Sequence, residues 1–230
     1  MAALLKLCAE GHFIVVPAAP ALADLKTNSS YRESLEKSDF AITDSIFMVL
    51  LWKIFTGQSL ARISGLKLLR GLLASDQLHQ PGSSLWIMPS EAEREINLDW
   101  LNRNGYPVTR EESHVAPMYP KGPISDPEIL GWIEARKPPY IIINLGGGVQ
   151  ERLGYYLRQN LSYRPSIICV GAAVAFLTGV QANIPTWADK WGLGWFMRCL
   201  HEPRKFIPRY WKALQLIGIL AKYRDKSVAV

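Results

Sequence analysis

The sequence lacks the residue spacings that metal sites and the common hydrolase or phosphoryl-transfer motifs require. Its three cysteines, Cys8, Cys169 and Cys199, are odd in number and far apart, which excludes a disulfide-stapled fold and a paired-cysteine zinc or redox site. The four histidines share no metal-ligand spacing, and no HExxH, DxD, P-loop or GxSxG motif occurs. Reduced thiols in a cytosolic protein are therefore expected.

Long apolar runs are also missing. A membrane-spanning helix needs about 20 mostly apolar residues, and the apolar run at 46–52 is too short and is bounded by Asp44 and Lys53. The N-terminal segment looks faintly like a signal peptide, but charged residues at positions 6 and 10 interrupt its apolar part. The sequence predicts neither a transmembrane helix nor a cleaved signal.

Surplus positive charge is missing from most of the chain. Residues 190–230 hold nine basic and two acidic residues, a net +7, so the overall +6 leaves −1 for residues 1–189. A nucleic-acid binder usually spreads its positive charge over the fold, so a nucleic-acid partner is not expected; binding of that kind would be strongly salt-dependent. A neutral body with a basic end indicates an appendage that meets an anionic surface.

The chain does contain an alternation of strand-like and helix-like segments. Continuous apolar strands that alternate with helices are typical of a parallel sheet covered on both faces, a Rossmann-like α/β fold. The segment 113–123 is too rich in proline to be regular. Strands are predicted at 12–16, 40–43, 84–88, 140–145 and 166–170, and helices at 21–37 with a break at 28–30, 45–56, 59–73, 91–104, 126–136 and 150–159.

The character of the sequence changes in its last fifty residues. Trp187, Trp191 and Trp195 recur every four residues and would share one helical face. We therefore predict an α/β body over residues 1–184 and a basic helical appendage over residues 185–230. The aromatic residues of the appendage would either lie at the headgroup level of a membrane or pack on the body.

A glycine-rich turn is the first candidate for chemistry. Gly146, Gly147 and Gly148 separate a buried strand from a helix, which is how α/β folds present backbone amides and a helix N-terminus to a phosphate. A tight connection without a ligand explains the turn equally well. Gln150 and Glu151 open the helix, either as ligand contacts or as ordinary first-turn polar residues.

Two further residues carry a functional and a structural interpretation. Asp44 lies between a short strand and an apolar helix, where it would act either as the helix N-cap or as a general base on a hydroxyl. Arg62 is predicted on the helix that begins near Ser59, where its guanidinium would either pair with a diphosphate or face solvent.

Taken together, these segments resemble the bacterial WecG/TagA/CpsF glycosyltransferase family over most of residues 12–212. The resemblance implies an inverting transferase that needs no metal and moves a sugar from a UDP donor to a polyprenyl-diphosphate-linked acceptor during surface-polysaccharide assembly. The stretches that carry it are, in order, ITDS at 42–45, RISG at 62–65, INLGGGVQE at 143–151, VGAAVAFLTG at 170–179 and the segment from GLGWFMR at 192–198 to EPRK at 202–205.

The resemblance also implies roles for individual residues. Asp44 is the candidate catalytic base and Gln150 positions the substrate. The other implied contacts with donor or diphosphate are Arg62, Gly146, Gly147, Gly148, Glu151, Arg198, Arg204 and Arg209. The enzyme would act at the cytoplasmic face of the membrane with a UDP-sugar, the lipid-linked acceptor and anionic lipid as its partners. A homo-oligomer is left open.

Several positions depart from the family's pattern. The Thr-x-Asn pair that commonly ends the first strand is replaced by a segment with Pro17 and Ala19, Ser45 replaces the glycine after the aspartate, and Ala175 and Gly194 replace acidic residues. Because of these changes, the sequence does not identify the sugar that is transferred. They also leave open a non-catalytic homologue that acts as a membrane-surface scaffold, and UDP-sugar binding would separate the two hypotheses.

Overall fold

The computed structural model describes residues 2–180, 191 and 193–224, and a parallel sheet lies at its centre. The six strands of the sheet are ordered β2-β1-β6-β5-β3-β4, and every neighbouring pair is parallel. This confirms the predicted Rossmann-like α/β fold. The strands are β1 (Phe13–Val15), β2 (Phe40–Ala41), β3 (Ser84–Met88), β4 (Ser113–Val115), β5 (Tyr140–Ile143) and β6 (Ser166–Cys169).

Helices follow most of the strands, and several begin at a polar capping residue. Ser90 and Asp126, for example, accept hydrogen bonds from the main-chain N–H groups of Glu93 and Ile129 and so fix two helix starts. The helices are α1 (Ala2–Ala9), α2 (Ala19–Leu22), α3 (Ser29–Glu36), α4 (Ile46–Thr56), α5 (Gly65–Leu73), α6 (Glu91–Arg103), α7 (Pro127–Arg136), α8 (Val149–Asn160), α9 (Ala173–Leu177), α10 (Gly194–His201), α11 (Pro203–Ala213) and α12 (Gln215–Tyr223).

The core consists of two layers, one on each face of the sheet. Side chains alternate between the faces along a strand, so Ile142 contributes to one layer and its neighbours Ile141 and Ile143 to the other. The first layer includes leucines of α5 and α6, and the second includes residues of α7 and α8 such as Ile129 and Leu153. Burial on both faces explains why the strands are continuous apolar runs.

Two predicted boundaries are wrong. The helix expected from Ser59 begins at Gly65, because Ser64 caps it by accepting a hydrogen bond from the Lys67 N–H at 3.2 Å. Arg62 therefore precedes α5 and does not lie on it. The segment predicted as a loop from residue 113 begins with the edge strand β4, which pairs with β3; three residues are too few to show a strand pattern.

The N-terminal segment also packs into the body. Residues 2–9 form α1, whose Cys8 is fully buried, and Leu4 and Leu5 lie against the first core layer. No helix in the described part of the chain is long and apolar enough to cross a membrane.

The described C-terminal helices α11 and α12 pack on α2 and α4. Ala213, Leu216 and Ile219 share an apolar cluster with Ala19 and Leu51. An ion pair of 2.7 Å between Lys212 and Asp24 adds a polar contact between α11 and the body. The predicted boundary near residue 185 and Trp187 lie outside the described residues.

Gly154 of α8 provides a test of the helix–sheet packing. A Cβ atom at this position would lie 2.5 Å from the ring of the fully buried Phe13, so Gly154→Ala forces the two elements apart. We expect the substitution to lower the free energy of unfolding by about 1–3 kcal/mol, measured by urea denaturation. The matched control is Gly131→Ala on α7, where a Cβ meets no atom within 4 Å. This substitution should raise the free energy of unfolding by up to about 1 kcal/mol. Equal effects of the two substitutions would contradict the packing argument.

Candidate active site

The parallel sheet brings the predicted site residues to one edge. Because all strands run in the same direction, their carboxyl ends lie together, and this is where open α/β sheets bind ligands. Asp44 follows β2, Ala19 follows β1, Gly171 follows β6 and the turn that begins at Gly146 follows β5. These four strands are consecutive neighbours in the sheet, so segments far apart in sequence meet along a single edge.

Asp44 does not cap α4. Ser45 is the N-cap, since its hydroxyl accepts a hydrogen bond from the Met48 N–H at 3.3 Å. The Asp44 carboxylate instead accepts a hydrogen bond of 3.0 Å from the N–H of Gly65, the first residue of α5. The structural interpretation of Asp44 as the cap of α4 is therefore wrong. The positive end of the α5 dipole favours the ionised form of this carboxylate.

Arg62 lies beside Asp44, in the loop that leads into α5. Its Nε donates a hydrogen bond of 2.8 Å to the main-chain carbonyl of Asp44. The loop is held along the end of β2, because the Ile63 N–H donates to the carbonyl of Thr43 and the Thr43 hydroxyl donates to the carbonyl of Ala61. A half-buried guanidinium is thus fixed close to the candidate base.

The start of α5 also touches the two central strands. A Cβ atom on Gly65 would lie 3.1 Å from the carbonyl oxygen of Val170 and 3.6 Å from the side chain of Val16. A larger residue would push α5 away from the ends of β1 and β6. The close approach explains the glycine of the RISG stretch and places Asp44 next to the turn that follows β6.

Gln150 and Glu151 join two turns from inside the protein. The Gln150 side-chain oxygen accepts a hydrogen bond of 2.8 Å from the Gly171 N–H, and its nitrogen donates to the Glu151 carboxylate at 3.1 Å. Glu151 in turn accepts a hydrogen bond of 2.6 Å from the Gly148 N–H. Both side chains are buried, so their contacts hold the glycine turn in position, and substrate contact by either one stays a prediction.

The glycine turn presents its main chain at the surface. Gly146 and Gly147 are exposed, and Gly148 has a φ of 88°, a left-handed conformation that favours glycine. A Cβ on Gly147 would lie 3.0 Å from the Cβ of Ala21 in α2. The turn therefore packs closely against the segment that follows β1 and leads directly into the twelve-residue helix α8, whose N-terminus is suited to an anion.

Burial dominates the ionisation of Glu151. Its pKa is raised above the usual value, although hydrogen bonds from Gln150 and Gly148 and the charge of Arg152 act in the opposite direction. Arg152 is itself fixed, because it donates to the carbonyls of Gly148 at 2.7 Å and Pro120 at 2.8 Å. The buried pair thus ties the loop after β4 to the glycine turn.

The three predicted arginines of the appendage lie in two different environments. Arg198 lies 4.5 Å from the ring of Phe176 on α9, which follows β6, and donates a hydrogen bond of 3.2 Å to the Tyr210 hydroxyl. Arg204 and Arg209 are exposed on α11. Among the described residues, Arg198 is thus carried by a helix that packs next to the carboxyl edge, whereas no contact joins the other two to Asp44 or to the glycine turn.

The departures from the family's pattern coincide with apolar packing. Pro17 is buried, and Ala19 lies in the cluster formed with the C-terminal helices. Ala175 is also buried, only 2 % exposed. Ser45 has the structural role of capping α4. Of these positions, Ala19 contributes to the docking of α11 and α12.

The larger of two described cavities, of about 570 Å³, was missed by the sequence analysis. It lies after β4 and includes His114, Tyr119 and Asp126, whose only shared signal is their position around a proline-rich loop. β4 and β2 are opposite edges of the sheet, five strand spacings or about 24 Å apart, so this cavity is remote from Asp44. The described residues contain no cluster of three potential metal ligands.

The raised pKa of Glu151 predicts a specific pH dependence of stability. Above the usual value of 4.5 the folded state binds more protons than the unfolded state, so this group's contribution declines as the pH rises through the folded-state pKa. In urea denaturation, the advantage of the wild type over Glu151→Gln should be largest near pH 4.5 and should shrink at higher pH. Glu91, whose pKa is lowered by Arg94 and Arg110, is the control, and the advantage over Glu91→Gln should grow with pH. If the advantage over Glu151→Gln also grew with pH, that result would contradict a raised pKa of Glu151.

Comparison with known proteins agrees with this geometry. The family model described as glycosyl transferase WecG/TagA/CpsF family matches residues 1–228. No curated protein matches the chain. The matched range includes the sheet, the edge that carries Asp44 and the glycine turn, and the three C-terminal helices. The chain therefore belongs to the WecG/TagA/CpsF family of glycosyltransferases, which act in the synthesis of cell-surface polysaccharides.

Proposed function

We propose that the protein transfers a hexose or N-acetylhexosamine-type sugar from a UDP donor to a polyprenyl-diphosphate-linked acceptor, with inversion at the anomeric carbon. The observation that carries the proposal is a continuous series of contacts. The Asp44 carboxylate binds the N–H of Gly65, and Gly65 lies against the carbonyl of Val170. The turn at Gly171 follows directly and is bound by Gln150. These contacts place a carboxylate beside the N-terminus of α5 and the turn that follows β6, and Gln150 connects that turn to the helix that follows the glycine turn. An acidic group at the same sheet edge as a turn suited to an anion is what a sugar transfer from a nucleotide requires.

Asp44 acts as the base in this reaction. As the acceptor oxygen forms its bond to the anomeric carbon, its proton passes to the Asp44 carboxylate, and the bond between that carbon and the UDP oxygen breaks. The N–H of Gly65 and the dipole of α5 keep the carboxylate ionised. Such a carboxylate is a weak base for a free hydroxyl, but it accepts the proton while the new bond forms.

The departing UDP needs positive groups. The exposed amides of the turn at Gly146 and Gly147, together with the N-terminus of α8, supply donors to phosphate oxygens. Arg62, beside Asp44, and Arg198, carried next to α9, supply guanidinium groups that bind phosphate in a bidentate geometry. In this proposal the reaction proceeds without a divalent metal.

The C-terminal helices are proposed to bind the inner membrane surface. Trp191 and Trp211 are each 75 % exposed, so the alternative in which the tryptophans pack on the body is wrong for these two. Arg204 and Arg209 lie on the same helix as Trp211, and each basic residue near an anionic membrane contributes about 1 kcal/mol. Aromatic rings and basic groups on one helix favour peripheral binding at the headgroup level.

A non-catalytic scaffold is the second candidate function. It is favoured by the apolar packing of Pro17, Ala19 and Ala175, where the family's pattern has polar groups. A scaffold would retain the membrane-binding helices without binding UDP-sugar. The position of Asp44 at the same carboxyl edge of the sheet as the glycine turn favours the transferase.

Substitution of Asp44 tests the base. Asp44→Asn keeps an oxygen that accepts the Gly65 N–H, so we expect a folded protein whose transfer rate is lower by about a hundredfold or more. Release of UDP is measured with UDP-glucose, UDP-N-acetylmannosamine and related donors and a short-chain lipid-diphosphate acceptor. The control is Ser45→Ala, which removes the cap of α4 and should lower the free energy of unfolding by about 1 kcal/mol. Its turnover should stay within a few-fold of the wild-type value.

Three results would contradict this assignment. Near-normal turnover of Asp44→Asn would exclude Asp44 as the base. Loss of activity in EDTA that magnesium or manganese restores would exclude a metal-independent reaction. A wild-type protein that binds no UDP-sugar would favour the scaffold.

Membrane binding is tested on the exposed apolar face of α11. Ile207 and Trp211 are 54 % and 75 % exposed, and replacing both with serine should lower partitioning onto phosphatidylglycerol vesicles at low salt by about tenfold or more. The control is Ile96→Ser on α6, an exposed apolar residue of the body that should leave partitioning unchanged. Binding is measured by vesicle flotation, and a wild-type protein that ignores these vesicles would contradict the proposal.

A further inference from the structure

An apolar cavity lies between α2, α4 and α12, on the side of the molecule where the C-terminal helices dock. It has a volume of about 160 Å³. We call it the α4–α12 slot, and its lining includes Leu25, Met48, Trp52, Ile219 and Tyr223. In another protein, an apolar cavity of about 150 Å³ binds benzene. The slot therefore has room for an apolar group of five or six carbon atoms.

Polar features at the slot indicate an amphiphilic occupant rather than a purely apolar one. The indole N–H of Trp52 is buried and has no hydrogen-bond partner among the described residues, which is uncommon for a buried donor. Tyr223 and Arg224 line the slot, and Lys26 and Lys222 hold their ammonium groups 5.7 and 5.1 Å from the ring of Tyr223, so three positive charges lie in or next to the lining. An apolar group attached to an anionic group matches this surface.

The slot is lined by the helix that follows the proposed base. α4 begins two residues after Asp44, and Met48 and Trp52 lie about 3 and 9 Å beyond its first residue along the helix axis, at 1.5 Å per residue. In the proposed acceptor, the saccharide and a diphosphate separate the reacting hydroxyl from the first carbon of the lipid. An acceptor hydroxyl at Asp44 would therefore bring the beginning of its lipid chain to this part of α4.

We propose that the α4–α12 slot binds the first isoprenoid unit of the acceptor lipid. This inference rests on the proposed function and adds the element that recognises the lipid. A branched five-carbon unit fills the slot, and the basic residues around Tyr223 face its anionic head. The rest of the chain leaves along α4 and α12, where Ile54 and Ile217 are exposed by 73 % and 42 %. The enzyme thus distinguishes a prenyl diphosphate from a head group without a chain.

Direct binding tests the slot without any need for turnover. Farnesyl diphosphate and methyl diphosphate are titrated into the full-length protein by calorimetry, and we expect the farnesyl compound to bind at least about tenfold more tightly. Leu25→Trp narrows the slot and should raise the Kd for farnesyl diphosphate by about tenfold, to the level of methyl diphosphate. Ile96→Trp adds the same side chain at an exposed apolar position of α6, away from the slot, and is the matched control, with no change expected.

A second variant does not depend on overpacking. Trp52→Phe keeps an aromatic ring in the slot and removes the unpartnered N–H, and we expect the Kd for farnesyl diphosphate to rise about threefold or more. A lysophosphatidylglycerol with a ten-carbon unbranched chain serves as competitor. Displacement of farnesyl diphosphate at equal concentration would show that the slot takes membrane acyl chains and would overturn the assignment to the acceptor.

The transfer assay separates failure of the slot from failure of the proposed function. In an active enzyme, Leu25→Trp should raise KM for a farnesyl-diphosphate-linked saccharide about tenfold and leave kcat unchanged, while Ile96→Trp changes neither. An active enzyme in which Leu25→Trp alters neither KM nor the Kd for farnesyl diphosphate overturns the slot alone. A protein without transfer activity that still binds farnesyl diphosphate through Leu25 and Trp52 keeps the slot and overturns the proposed function.

Discussion

The contact between the Asp44 carboxylate and the Gly65 N–H organises the candidate site. It forms because α5 begins directly against the ends of β1 and β6, where only a glycine fits beside the Val170 carbonyl. The same start of α5 fixes the loop that carries Arg62. The N-terminus of α5 thus holds the Asp44 carboxylate, which belongs to the segment before α4, so tertiary packing positions the proposed base.

A buried polar pair, Gln150 and Glu151, holds the glycine turn after β5 in position. Gln150 and Glu151 replace the solvent that Gly171 and Gly148 would otherwise bind. The contact from Gln150 to Gly171 joins the segment after β5 to the segment after β6, and the contact from Glu151 to Gly148 closes the glycine turn itself. The burial that makes the pair rigid also raises the pKa of Glu151. Rigid support of this kind suits a turn whose exposed amides must keep a fixed geometry for a phosphate.

The C-terminal helices pack on the body with one face and expose aromatic and basic groups on the other, as the proposed membrane binding requires. Their inner faces pack on α2 and α4 through Ala19 and Leu51, and their outer faces expose aromatic and basic groups such as Trp211 and Arg209. Ala19, which stands where the family's pattern has a polar group after β1, lies in this packing. At that position an apolar contact with the C-terminal helices takes the place of a polar side chain.

The sequence by itself determined the elements whose signals are local. Continuous apolar runs specified the parallel strands, and capping residues such as Asp126 marked a helix start within one turn. Tertiary structure alone decided the partner of Asp44, which is 21 residues away, the start of α5, and the three-residue strand β4, which exists only by pairing with β3. Periodicity and capping act over a few residues, whereas these contacts depend on how distant segments pack against the sheet.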